Sequence, residues 1–238
     1  MPIPTPTSTP TAGADPDPDH SPGAALPHAT LPLLLLGAFL ALGLAVAPYP
    51  PGRFDRWAEQ ALMDHGSARL TRVMRLITDL GSDRIAVPVM IAIIGWLVWR
   101  HAGRVAVITG AVWAAAKLSS GITKVLFDRE RPLPSRLLGL GDQYSFPSGH
   151  TVTAVITYGL IAALLVRHRH GPDRWLPVVL AIIIALAVAV SRVYLGRHYA
   201  TDVIGGLLLG AAWLSIGWLW LGGAGPAPAS AETAPEPG

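Results

Sequence analysis

The side chains able to do chemistry in this sequence fall in three blocks: Lys124 with Arg131-Pro132, then Pro147-Ser148-Gly149-His150, then Ser191-Arg192 with His198 and Asp202. Their types define a task. A transferring phosphoryl group needs a nucleophile, a proton for the leaving oxygen, and fixed positive charge around the oxygens that carry the negative charge. His198 and Asp202 are four residues apart, a spacing that lets them meet on one helical face or across a helix start. A hydrogen bond from one ring nitrogen to the carboxylate would leave the other nitrogen unprotonated, fix the ring and stabilise the positive charge that develops on it. His150, with a near-neutral intrinsic pKa, suits a general acid that afterwards serves as base. Lys124, Arg131 and Arg192 read as a phosphate clamp, since three cations fixed at a bilayer edge repel one another unless an anion sits among them. Ser148 can cap the helix that follows it, so that its hydroxyl and the Gly149 amide face the phosphate at a helix N-terminus. Gly149 lets the backbone come close.

These groups must be brought together by the elements around them, and composition says what kind. Of 238 residues 51% are apolar and only 14% charged, and the mean hydropathy is +0.45 despite two polar, Pro/Ala-rich ends. That combination identifies an integral membrane protein. Six apolar runs follow one another: Leu31 to Ala47, Ile85 to Trp99, Val105 to Leu118 continuing toward Phe127, Thr151 to Val166, Leu176 to Val190, and Val203 to Leu221. With their flanking turns, each approaches the length that crosses a bilayer core of about 30 Å. Between the first two, Phe54, Trp57, Ala58, Ala61 and Leu62, then Leu70, Val73, Met74 and Ile77, recur at helical spacing among charged residues. The pattern predicts two short amphipathic helices divided near Gly66, capping the bundle or lying at the membrane surface. The expected fold is therefore all-α, a six-span helical bundle over residues 30–222. Residues 1–29 and 223–238 read as disordered tails, too polar and too rich in Pro to build a core. Antiparallel neighbours then place the end of span three, the start of span four, the end of span five and the start of span six on one side, and all three blocks sit at those ends.

Taken together, the blocks fix eleven residues in order and spacing, and they resemble the signature of the type 2 phosphatidic acid phosphatase superfamily, without a substitution. The superfamily also holds bacterial acid phosphatases and vanadium haloperoxidases. The resemblance implies that His198 attacks phosphorus and forms a phosphohistidine, that Asp202 holds its imidazole, and that Lys124, Arg131, Ser148, Gly149 and Arg192 bind the phosphate. It implies a membrane phosphatase acting on lipid phosphates or diphosphates, such as phosphatidic acid, phosphatidylglycerol phosphate or undecaprenyl diphosphate, in a cell membrane with the active site on the periplasmic or extracellular face. Two neighbouring readings stay open: a phosphotransferase of the same family, and a lipid-phosphate binding or transport protein. Mere binding would need the cations but not two positioned imidazoles. A haloperoxidase would share the motif residues, yet the soluble globular setting of those enzymes is missing here.

Other classes are disfavoured on composition. With no cysteine in the chain there is neither a disulfide framework nor a thiolate nucleophile. The net charge of +3 is spread over helix ends and the clamp instead of forming a solvated basic stripe, so nucleic acid is not an expected partner. Asp128 and Glu130 flank Arg129 in a loop and read as solvated; no metal and no cofactor is expected, because histidine chemistry on phosphate asks for neither. Gly206 and Gly210 stand in a small-xxx-small arrangement suited to close helix contact. Partners are a lipid phosphate and the surrounding lipid, and oligomeric state carries no sequence signal.

Overall fold

A computed structural model of the protein describes residues 30–63, 66–132, 143–167 and 171–222. The two tails expected to be disordered, 1–29 and 223–238, lie outside the described residues. The described chain is helical: α1 (Thr30–Val46), α2 (Arg53–Met63), α3 (Ala68–Asp79), α4 (Asp83–Trp99), α5 (Gly103–Phe127), α6 (Gly149–Val166), a 3-10 turn (Pro172–Trp175), α7 (Leu176–Tyr194) and α8 (Ala200–Gly222). Among the described residues no strand forms, and one isolated bridge pairs Glu130 with Tyr144.

Among the described residues five stretches are long and apolar enough to cross a membrane: Ala68–Trp99, Gly103–Phe127, Gly149–Val166, Asp173–Tyr194 and Ala200–Gly222. The expected first span, α1, is apolar but has only 17 residues, or about 25 Å of helix. The expected second span is α4, also 17 residues, which joins α3 through the turn at Leu80–Ser82. Among the described residues each α-helix falls on a stretch the sequence pattern marks, the 3-10 turn Pro172–Trp175 is not foreseen by it, and the full-length crossings number five with α1 as a shorter companion. This is a multi-pass membrane protein. Its outer faces suit a lipid solvent, with Leu33, Leu40, Leu118, Leu126, Ile182 and Ile183 all exposed. Gly66 does separate the two amphipathic helices α2 and α3. Ala58 of α2 packs against Ala189, Val193, Ala200 and Val203, with Leu62 beside them, so α2 caps the ends of α7 and α8.

The bundle is organised around α6, which packs against α7 and α8, while α1 and α5 lie on α8. Phe39, Met90, Val112, Val152, Ile156, Leu160 and Leu209 fill the main core. Phe146 closes it beneath the site, stacked on Phe39 at 5.4 Å between ring centroids and edge-on to Phe127 at 5.1 Å. Such aromatic pairs contribute about 0.5–1.5 kcal/mol beyond their burial. Polar ties cross the apolar layer at two indoles: Trp113 Nε1 donates to Thr157 Oγ1 at 2.9 Å, and Trp213 Nε1 to Ser119 Oγ at 2.8 Å.

The α6–α8 contact depends on the small residues the sequence pointed to. A Cβ on Gly206 would lie 2.8 Å from the Ser148 carbonyl oxygen and 2.9 Å from Thr151 Cβ, and one on Gly210 would lie 2.7 Å from Val155 Cβ. Gly206 therefore sets how close α8 comes to the helix start that carries His150. Gly206→Ala is expected to lose about 1–3 kcal/mol of stability, because backbone must move to admit the methyl. Gly37→Ala, with nothing within 4 Å of the added Cβ, should be near neutral. Thermal unfolding of the two variants in detergent checks this.

Candidate active site

At one end of the bundle α5 stops, α6 starts, α7 stops and α8 starts, and a cavity of about 590 Å³ opens between them and the α3–α4 turn. Its lining includes Lys124, Arg131, Gly149, His150, Arg192 and His198. Residues scattered over 75 positions of sequence thus converge on one space. Lys124 lies over the start of α6, with Nζ 3.9 Å from where a Gly149 Cβ would be. Arg192 is 7% exposed; one guanidinium nitrogen donates to Thr78 Oγ1 at 3.0 Å, while its buried Nε has no hydrogen-bond partner. Arg192 lines the cavity, and a guanidinium there suits a phosphate oxygen.

Asp202 and Ser148 do not line the cavity but stand behind it, both fully buried. The Ser148 amide donates to the Asp202 carbonyl oxygen at 3.0 Å, which pins the second block to the third. Ser148 occupies the N-cap of α6, but its side chain does not cap the helix as expected. Its hydroxyl instead accepts from the Thr151 hydroxyl at 3.0 Å.

His198 sits on the short connection between α7 and α8 with 2% of its surface exposed. Its Nδ1 faces Asp202 Oδ2 at 3.5 Å, and its Nε2 faces the Arg131 guanidinium at 3.5 Å. The first distance is too long for a hydrogen bond, and Nδ1 has no other side-chain partner in place. The geometry assigns the proton to Nδ1 and leaves Nε2 directed at the clamp. Burial holds the His198 imidazole well below its ordinary range, reinforced by the charges of Arg192, Arg131 and Lys124, with a smaller opposing pull from a backbone contact to Ser145. A lowered pKa means that the ring is neutral, and so nucleophilic, at and below neutral pH.

The feature that sequence reading missed lies behind this pair. Arg129 is 3% exposed and bridges two buried carboxylates, Asp202 Oδ1 at 2.6 Å and Asp55 Oδ2 at 2.8 Å. Asp55 also accepts from the Thr201 amide at 2.9 Å and from the Thr201 hydroxyl, and the Arg129 guanidinium stacks 4.7 Å from the Tyr199 ring. The other oxygen of Asp202 accepts from the Tyr199 amide at 2.9 Å. Asp202 is thereby held from two sides and aimed at His198. Arg129 looked like a member of a solvated loop beside Asp128 and Glu130; its partner Asp55 lies 74 positions away, and no local pattern announces it. Among the described residues no cluster of His, Cys, Asp and Glu is arranged to hold a metal ion.

A membrane-crossing helical bundle that gathers two imidazoles and several cations into one cavity at the span ends holds the groups that phosphate chemistry uses. The chain belongs to the PAP2 superfamily, whose family model matches residues 105–225. It is 30% identical over 181 residues to phosphatidylglycerophosphatase B of Bacillus subtilis, covering 75% of this chain and 89% of that one. It is 29% identical over 154 residues to an undecaprenyl-diphosphatase of Sulfolobus acidocaldarius, covering 63% and 69% of the two chains. The crystal structure of a transmembrane PAP2-type phosphatidylglycerolphosphate phosphatase from Bacillus subtilis superposes with a TM-score of 0.70 at 29% identity, covering 82% of this chain and 96% of that one. The chain is accordingly a hydrolase of phosphate esters.

Arg129 uses both arms of its fork on different carboxylates, and a lysine could satisfy only one. Arg129→Lys is expected to lower kcat by roughly 10–100-fold, the range typical when a group that orients a reacting side chain is lost. KM should change little, since Arg129 does not line the cavity. Steady-state phosphate release separates the two parameters.

Proposed function

We propose that this protein hydrolyses the terminal phosphate of a membrane lipid phosphate or diphosphate through a phosphohistidine on His198. The observation that carries the reading is the shared cavity: His198, His150, Lys124, Arg131 and Arg192 all line one space at the ends of apolar spans. A head group can enter it there while the tail stays in hydrocarbon. His198 Nε2 attacks phosphorus, the P–N bond forms, and the bond to the leaving oxygen breaks as His150 protonates that oxygen. Asp202 accepts the Nδ1 proton's hydrogen bond and offsets the positive charge on the ring. Lys124, Arg131 and Arg192 hold the oxygens whose charge the transition state redistributes. His150 then takes a proton from water, which attacks phosphorus, breaks the P–N bond and frees inorganic phosphate. Each ring ends as it began.

The relatives named for phosphatidylglycerophosphate and undecaprenyl diphosphate support these two lipids as substrates, and the family resemblance adds phosphatidic acid. With protein purified in detergent and chelator present, phosphate release from at least one of the three is expected, together with an acid-labile, alkali-stable phosphoenzyme. Both should vanish in His198→Ala. Release that survives in a folded His198→Ala protein would refute the mechanism. Lipid bound tightly with no phosphate released would favour the carrier reading.

The reading includes α1 as a sixth crossing, supported by its packing along α8, and places the cavity on the periplasmic or extracellular face with both ends of the chain inside. The chain has no cysteine of its own, so single introduced thiols report topology cleanly. Gly52→Cys, on the cavity side, should react with an impermeant maleimide added to intact cells. Gly103→Cys, at the other end of α5, should react only after permeabilisation; the opposite pattern would invert the orientation.

A further inference from the structure

Three cations that line the cavity are named in none of the three blocks, Arg84, Arg197 and Lys117, and of these Lys117 alone stands in the middle of a span. Lys117 lies inside α5, seven residues before Lys124 and so about 10 Å deeper along the helix. An ionisable side chain within an apolar span is costly and marks function by default. Its Nζ donates to Thr153 Oγ1 at 2.9 Å and to Asp83 Oδ1 at 2.5 Å. Thr153 follows His150 by one helical turn on α6, which places the ammonium beside the imidazole that protonates the leaving oxygen. Both the Lys117 and Asp83 charges are felt at the His150 ring. The two partners differ in what they can give up. Asp83 is 63% exposed against 26% for Lys117, so the ion pair is a weak one. Asp83 also stands in the first turn of α4, where the helix N-terminus stabilises its charge without Lys117.

Charge points the same way. A phosphate monoester carries about −1.5 to −2 at neutral pH, which Lys124, Arg131 and Arg192 already match. Lys117, like Arg84 and Arg197, is positive charge beyond that need, and of the three it is the one tied through Thr153 to the helix that carries His150. One turn away Gly121 also lines the cavity, with no atom within 4 Å of an added Cβ, so there is open space beside that part of α5. A substrate reaching from the clamp past His150 toward hydrocarbon passes Lys117.

We propose that Lys117, held by Thr153 and exchanging Asp83 for substrate, forms a second anion subsite that selects lipids carrying a further phosphate on the leaving-group side of the scissile bond. Lipid diphosphates and lipids joining a phosphomonoester to a phosphodiester share that chemistry; a lipid monophosphate lacks it. The assignment rests on the phosphatase reading above and makes Lys117 a specificity-determining residue.

The test compares matched pairs in mixed micelles: undecaprenyl diphosphate with undecaprenyl phosphate, and phosphatidylglycerol phosphate with phosphatidic acid of the same acyl chains. The readout is the ratio of kcat/KM for the two-phosphate lipid over its one-phosphate partner. Lys117→Met, which keeps the aliphatic stem, should lower that ratio about tenfold or more, the effect of losing a charge-assisted hydrogen bond; Lys117→Arg should largely restore it. A fall in one pair alone identifies which source of the second phosphate the subsite serves and supports the proposal. An unchanged ratio, or equal loss on both members of each pair, overturns it by reducing Lys117 to a helix tie. Should Lys117→Met fail to fold, Asp83→Asn decides: the ratio should hold or rise if Lys117 is released to the substrate, and a lower ratio refutes the exchange. A wild-type protein releasing phosphate from none of the four lipids would instead sink the phosphatase reading itself.

Discussion

The buried fork of Arg129 is the constraint from which the site's order follows. Two carboxylates and one guanidinium taken out of water each lose several kcal/mol of hydration, recovered only when geometry is good and the remaining hydrogen bonds are made. Here they are made: Asp202 accepts from Arg129 and the Tyr199 amide, and Asp55 from Arg129 and the Thr201 amide, so each carboxylate has a donor on both oxygens. Because removing any one ion would strand the others, α2, the end of α5 and the start of α8 are fixed relative to one another. The His198 imidazole faces a carboxylate held in that fixed frame. A neutral imidazole needs an orienting carboxylate, and a carboxylate at such depth needs a counter-charge that does not itself touch substrate; Arg129 is that counter-charge.

In front of the imidazole the balance is reversed. The cavity lining sets Arg84, Lys117, Lys124, Arg131, Arg192 and Arg197 against two carboxylates, Asp79 and Asp83. Burial and the neighbouring Arg75 disfavour the charge on Arg197. This surface keeps an excess of positive charge that an anion would offset, whereas the layer behind it pairs its guanidinium with two carboxylates. The contrast separates a rigid backing from a wall that gains most when phosphate arrives, and interactions that strengthen as charge moves onto the phosphoryl oxygens are the ones that accelerate reaction.

The helices and most of the site were legible in the sequence because the signals were local. Apolar runs announce spans, Gly66 divides two amphipathic stretches, and the three blocks sit where runs end. The polar residues of α5 blurred that helix: Lys117, Ser119, Ser120 and Thr123 interrupt the apolar run, and the helix continues through them to Phe127 because several turn toward the cavity or bond within the bundle. Lys117 could have been noticed, as a charge in mid-span. Arg129 could not, since whether an arginine in a charged loop is solvated or buried depends on Asp55, which no spacing rule connects to it. Ser148 shows the same limit on a smaller scale. Its place at a helix start was readable, but the direction of its hydroxyl was decided by Thr151.

The segments bearing the three blocks are also stitched by main chain, Ser148 to Asp202 and Ser145 to Arg129, with N–H to carbonyl distances of 3.0 and 2.7 Å. Replacement of a side chain leaves an amide and a carbonyl where they were, proline apart. The frame that sets the distance between catalytic positions is therefore written in atoms every residue shares, and it tolerates drift in the lining around it. A lineage can remodel the tail-facing wall, and with it the lipid that fits, while the spacing of the reacting groups stays the same.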